Sequence, residues 1–215
     1  MKDNLTDITV VIDRSGSMES CRTDAEGGLN AFIRSQAAEE GEALLTLVQF
    51  DDRYEFVHKA VPIKKVPKFT LVPRGSTALF DAVGRAINET GKRLASMAEE
   101  DRPNLVIVAI VTDGEENSST EFTGAHIKAM IDLQTSKYNW QFTYLGANQD
   151  AFSAAEAIGI AASSALNYDV ASSASAFDSL SSNTKRMRDA SVMCSPIRSF
   201  YTDEERSSSM GEDEA

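Results

Sequence analysis

Three short segments of this 215-residue chain concentrate side chains able to hold a hard cation. Asp13, Ser15 and Ser17 occupy alternate positions in D-R-S-G-S, Thr77 stands in R-G-S-T-A, and Asp113 in T-D-G. Together they supply two carboxylates and three hydroxyls. Hard divalent cations select all-oxygen sets of this kind, and a six-coordinate, hydroxyl-rich site leans to Mg²⁺ over Mn²⁺ or Ca²⁺. Two carboxylates balance a 2+ charge. Neutral hydroxyls leave the ion electrophilic enough to accept one more carboxylate from outside. Gly16 and Gly75 allow the tight turns that bring such loops together. Taken singly, serines after a strand are helix caps and Asp-Gly is a turn. Their joint occurrence favours the cation.

The surrounding elements place all three segments at one end of a sheet. Residues 5–12, 43–50, 53–60, 104–112 and 140–146 read as strands, with a weaker one around 165–167. The continuous apolar run NLVIVAIVT at 104–112 suits a strand buried on both faces of a parallel sheet. Helical periodicity covers 19–39, 77–99, 123–136, 150–158 and 171–192, with Asp150 as an N-cap. Gly27 and Gly28 weaken the first of these helices. Strands alternate with helices apart from one early hairpin at Asp51-Asp52. The pattern predicts an α/β fold: a doubly wound, mostly parallel six-stranded sheet with one antiparallel edge strand and helices on both faces. In such sheets ligands bind beyond the carboxyl ends of the strands, where Asp13 and Asp113 fall.

D-x-S-x-S at Asp13, Ser15 and Ser17, the stretch G-S-T-A-L-F-D-A holding Thr77, and T-D-G at Asp113 resemble the von Willebrand factor type A domain. The resemblance extends over about residues 5–193, and its closest flavour is the small stand-alone type A proteins of bacteria and their phages. It implies a metal-ion-dependent adhesion site made by those five residues. Ser15, Ser17 and Thr77 would bind the metal directly. Asp13 and Asp113 would act mainly through water, or directly in a ligand-free state. The sixth position would go to a Glu or Asp of a partner protein. The family commonly has Tyr where this chain has Phe80. The partner-facing rim is expected to comprise Arg14, Met18, Arg74, Glu115, Glu116 and Asn148.

Composition narrows the remaining classes. The formal net charge of −12 argues against nucleic acid and anionic lipid as default partners. The longest apolar run, Leu105 to Val111, is far too short for a membrane span. The start of the chain lacks the apolar run and cleavage site of a signal peptide. Cys21 and Cys194 have no metal-ligand spacing and suggest reduced thiols in a cytoplasmic protein. Residues 194–215, rich in acids and serines, read as a disordered tail.

Two competing functions are weaker. A metal-dependent phosphatase or nuclease would want a D-x-D pair, a Lys or His acid/base, or a phosphate-cradling G-x-x-x-x-G-K-[ST] loop, and none is present. A structural or assembly component of a phage-related system would use the fold as a building block with an incidental metal. The expectation is therefore a binding module and not an enzyme. Asp51, Asp52 and Glu55 could form a second cation site, but a hairpin turn explains them better.

Overall fold

A computed structural model describes residues 1–147 and 150–211 of the chain. Among them six strands form one sheet: β1 (Lys2–Asp13), β2 (Glu42–Phe50), β3 (Tyr54–Pro62), β4 (Pro103–Thr112), β5 (Gln141–Ala147) and β6 (Ala165–Tyr168). Their order is β3-β2-β1-β4-β5-β6. Only the edge strand β3 is antiparallel to its neighbour. The sheet agrees with the architecture expected from the alternating pattern.

The helices are α1 (Arg22–Ala38), α2 (Leu79–Ala95), α3 (Gly124–Tyr138), α4 (Ala151–Ala157), α5 (Ser173–Val192) and α6 (Asp203–Ser209). The two-residue period of β1 divides its side chains between two cores. Ile8, Val10 and Ile12 pack with Leu29 and Phe32 of α1 and Phe177 and Leu180 of α5. Val11, on the opposite face, joins Val83 and Ile87 of α2 and Ile127 and Ile131 of α3. Burial on both faces explains why β4 is nearly all apolar. No helix among the described residues is long and apolar enough to cross a membrane.

The helix expected over 19–39 is two elements. A 3-10 turn over Gly16–Ser20 precedes α1, with Met18 fully buried within it. The two glycines of α1 also differ. A methyl on Gly27 would meet nothing within 4 Å, whereas one on Gly28 would meet Phe177 Cδ2 at 2.3 Å. Gly28 lies directly against Phe177 of α5, so glycine has a packing reason at 28 and none at 27. Gly27→Ala is expected to raise stability by about 0.5–1 kcal/mol through helix propensity. Gly28→Ala is expected to lower it by about 1–3 kcal/mol through overpacking. Urea unfolding midpoints of the two variants should move in opposite directions.

The C-terminal segment departs from expectation. Residues 195–211 are not a free tail but a strap over α5 and the β6 edge. Tyr201 is buried, with its hydroxyl 2.7 Å from Thr143 Oγ1. The Arg206 guanidinium donates to the carbonyls of Ala162, Ser163 and Ala165. Thr202 and Glu205 form a capping box for α6. Glu205 also accepts two hydrogen bonds from Arg186 of α5, at 2.7 and 2.9 Å. Acids counted as a disorder signal stand in the first turn of a short helix, where its dipole favours them. Residues 212–215 lie outside the described residues.

Candidate metal centre

The chain leaves β1 toward β2 on one side and returns as β4 on the other, so β1 and β4 flank a topological switch point. Asp13 ends β1 and Asp113 follows β4. Asp13 is fully buried. Its Oδ1 accepts from the Ser15 amide at 2.6 Å, and its Oδ2 from Thr112 Oγ1 at 2.7 Å. The first bond turns the chain sharply and brings Ser15 and Ser17 back toward the crevice. Ser15 Oγ and Ser17 Oγ are 3.0 Å apart, and Ser17 Oγ donates to Asp113 Oδ1 at 2.8 Å.

Thr77 reaches the same place from the second loop. A methyl on Gly114 would stand 3.6 Å from Ser17 Oγ and 3.7 Å from Thr77 Oγ1. Glycine at 114 thus keeps the space between two hydroxyls open. The Thr77 backbone is held by Asn117, whose Oδ1 accepts the Thr77 amide and whose own amide donates to the Thr77 carbonyl. The first two loops are stitched by Arg74 N to the Arg14 carbonyl, 2.7 Å, and Gly16 N to the Gly75 carbonyl, 3.1 Å. Gly75 has φ +70°, and a side chain there would collide with Asp52 Oδ1 at 2.6 Å.

All five predicted donors therefore converge. Burial pushes the Asp13 carboxyl up to about 6, against the hydrogen bonds from Thr112 and Ser15. Burial likewise raises Asp113 above its ordinary value, against the bond from Ser17. Asp113 Oδ2 is buried without a hydrogen-bond partner among the described residues. No ion pair among them reaches either carboxylate. Two acids desolvated side by side, with one oxygen unanswered, are the electrostatic complement of a cation. No group of three or more His, Cys, Asp or Glu among the described residues could hold a metal, so hydroxyls are essential to this donor set. The residues fit a hard divalent ion.

Three of the six expected rim residues are engaged elsewhere. Arg14 is buried and points to Asp51. Met18 is fully buried in the core with Cys21. Glu116 is a structural cap: its carboxylate accepts from the amides of Phe80, Ser118 and Ser119 and from Ser119 Oγ. Arg74 is half-exposed, and Glu115 is exposed. Asn148 lies outside the described residues. Arg14 and Met18 adjoin site residues in sequence, and tight turns send successive side chains in different directions.

Sequence reasoning missed Thr112, Asn117, Asp81 and the buried role of Asp51. Asp81 holds the third loop by accepting the amides of Thr120, Glu121 and Phe122. Asp51 does close the β2–β3 turn, accepting from the Arg53 amide at 2.6 Å, as the hairpin reading required. Its position just past a buried strand, at the site's end of the sheet, was the available signal for more.

The fold is that of von Willebrand factor type A domains. Solved structures share it. Proximal thread matrix protein 1 from the mussel byssus superposes with TM-score 0.59 at 16% identity, over 83% of this chain and 45% of that one. Another structure of the same mussel protein, with a zinc-occupied metal-ion-dependent adhesion site, matches with TM-score 0.53 at 19% identity, over 88% and 45%. A von Willebrand factor type A protein from Catenulispora acidiphila gives TM-score 0.56 at 16% identity, over 84% and 43%. The corresponding domain of the type V pili tip protein Mfa5 from Porphyromonas gingivalis gives 0.58 at 13%, over 83% and 94%. The chain thus spans less than half the length of the mussel and Catenulispora proteins. No family model and no curated protein matches the sequence.

Proposed function

We propose that this chain is a metal-dependent interaction module. Asp13, Ser15, Ser17, Thr77 and Asp113 hold a divalent cation, Mg²⁺ by the hardness of the donors, and the cation captures an Asp or Glu of a partner protein. One observation carries the reading: the buried, uncompensated Asp13–Asp113 pair with Asp113 Oδ2 unanswered. The zinc-occupied site of the structurally similar mussel protein supports a divalent ion in this fold. The matrix and pilus-tip settings of two neighbours support binding over catalysis as its use. The proposal includes a cytoplasmic setting in which Cys21 and Cys194 remain thiols.

Calorimetric titration with Mg²⁺, Mn²⁺ and Zn²⁺ tests the site. Wild type is expected to bind one ion, and Asp13→Ala none, with both proteins folded by circular dichroism. Equal heats in the two proteins would sink the assignment. Phosphatase or nuclease turnover that vanishes in Thr77→Ala would point to catalysis instead.

A further inference from the structure

Asp51 lies outside the five-residue set, yet it touches both of the loops that carry the hydroxyl donors. It is fully buried at the end of β2. Its Oδ2 accepts from Arg14 Nε at 2.9 Å and from Arg74 Nε at 2.7 Å. Its backbone carbonyl accepts the Ala78 amide at 3.0 Å. Arg14 sits between Asp13 and Ser15, while Arg74 and Ala78 bracket Thr77. A methyl on Gly75 would stand 3.1 Å from Asp51 Cβ, so the second loop lies directly against this residue.

The charges reinforce the geometry. The Arg14 side chain is only 5% exposed, and its remaining partner is Glu55. Asp51 and Glu55 together answer Arg14 and Arg74. Hydrogen bonds from Arg74 and the Arg53 amide, with the Arg14 charge, outweigh burial and hold Asp51 below the usual carboxylate range. Without that carboxylate, a buried guanidinium would lose its central partner and Arg74 would be released.

We propose that Asp51 is a positioning residue for the metal centre: it clamps Arg14 and Arg74 and so sets the spacing between the Ser15/Ser17 loop and Thr77. The inference rests on the metal reading above. It makes affinity for the ion depend on a side chain that never touches it. Supports of this indirect kind typically govern about 10- to 100-fold of affinity.

The test is Mn²⁺ affinity, measured by calorimetry well below the melting temperature of each protein. Asp51→Asn keeps the shape and removes the charge. It is expected to bind Mn²⁺ about tenfold or more weakly while folded. Arg74→Gln, which opens the clamp from its exposed side and spares the buried Arg14 pair, is the second variant if Asp51→Asn fails to fold. It is expected to weaken binding severalfold. A purely structural role would lower the melting temperature and leave affinity unchanged. Wild-type binding with unaltered affinity in a folded variant would overturn the positioning role alone. A wild type that binds no Mn²⁺ would overturn the metal reading and this inference together.

Discussion

Asp113→Asn is expected to stabilise the metal-free protein and to abolish its response to metal. The two effects have one cause. Asp113 is buried, its carboxyl is raised by desolvation, and Oδ2 has no partner among the described residues. An unsatisfied buried polar group costs about 1–3 kcal/mol, and more when charged. Asparagine keeps the oxygen that accepts from Ser17 and removes the charge that nothing answers. The metal-free variant should therefore melt higher than wild type. Added Mg²⁺ should reverse the order, because only wild type gains stability by binding. Loss of the carboxylate charge, whether it meets the ion directly or through water, should weaken affinity by about 100-fold. Thermal melts with Mg²⁺ and with EDTA give four temperatures that must cross. A variant that melts below wild type in EDTA would mean that Asp113 stabilises the apo fold and the strain argument fails.

The second large effect is on pH. Asp13 has its carboxyl pushed up from 3.8 to about 6 by burial. A folded state that holds its proton more tightly than the unfolded chain is most stable at low pH for that group. The contribution is full below about pH 3.8 and is lost as pH rises through about 6. The gap corresponds to roughly 3 kcal/mol at 1.36 kcal/mol per pH unit. Metal binding has the opposite sign, since the ligand form is the carboxylate. Mg²⁺ affinity should be flat above pH 7 and about tenfold or more weaker at pH 5. Its stabilising effect should shrink in parallel. Calorimetric titrations at pH 5 and 7.5 check the sign, and affinity unchanged between them would exclude Asp13 as a ligand.

How much of this was legible beforehand follows from the range of the interactions. The D-x-S-x-S motif is local: the Ser15 amide bonds the carboxylate two residues earlier, so the motif carries its own geometry. The strands were readable because burial on both faces leaves a continuous apolar stretch, as in β4. The helix expected from residue 77 begins at Leu79, because the Thr77 amide and carbonyl are bonded by Asn117, forty residues away. Arg14 and Met18 looked like rim residues because they adjoin donors, and packing turned both inward. The strap over α5 was read as disorder from its acids. Its order comes from Tyr201 entering the core and Arg206 answering three carbonyls, contacts that no local pattern announces.

By itself the sequence determined the alternation of strands and helices, the parallel character of the sheet and the five oxygen-bearing side chains of the proposed site, because periodicity and short motifs are written in neighbouring residues. The tertiary structure alone decided which charges are spent inside. Asp51 binds two arginines, Asp81 and Glu116 are answered by the amides of the third loop, and Asp13 and Asp113 are buried with no ion pair among the described residues. That distinction depends on distances between residues far apart in the chain. It is the reason the proposed cation site is one point of an acidic protein and does not follow from its net charge.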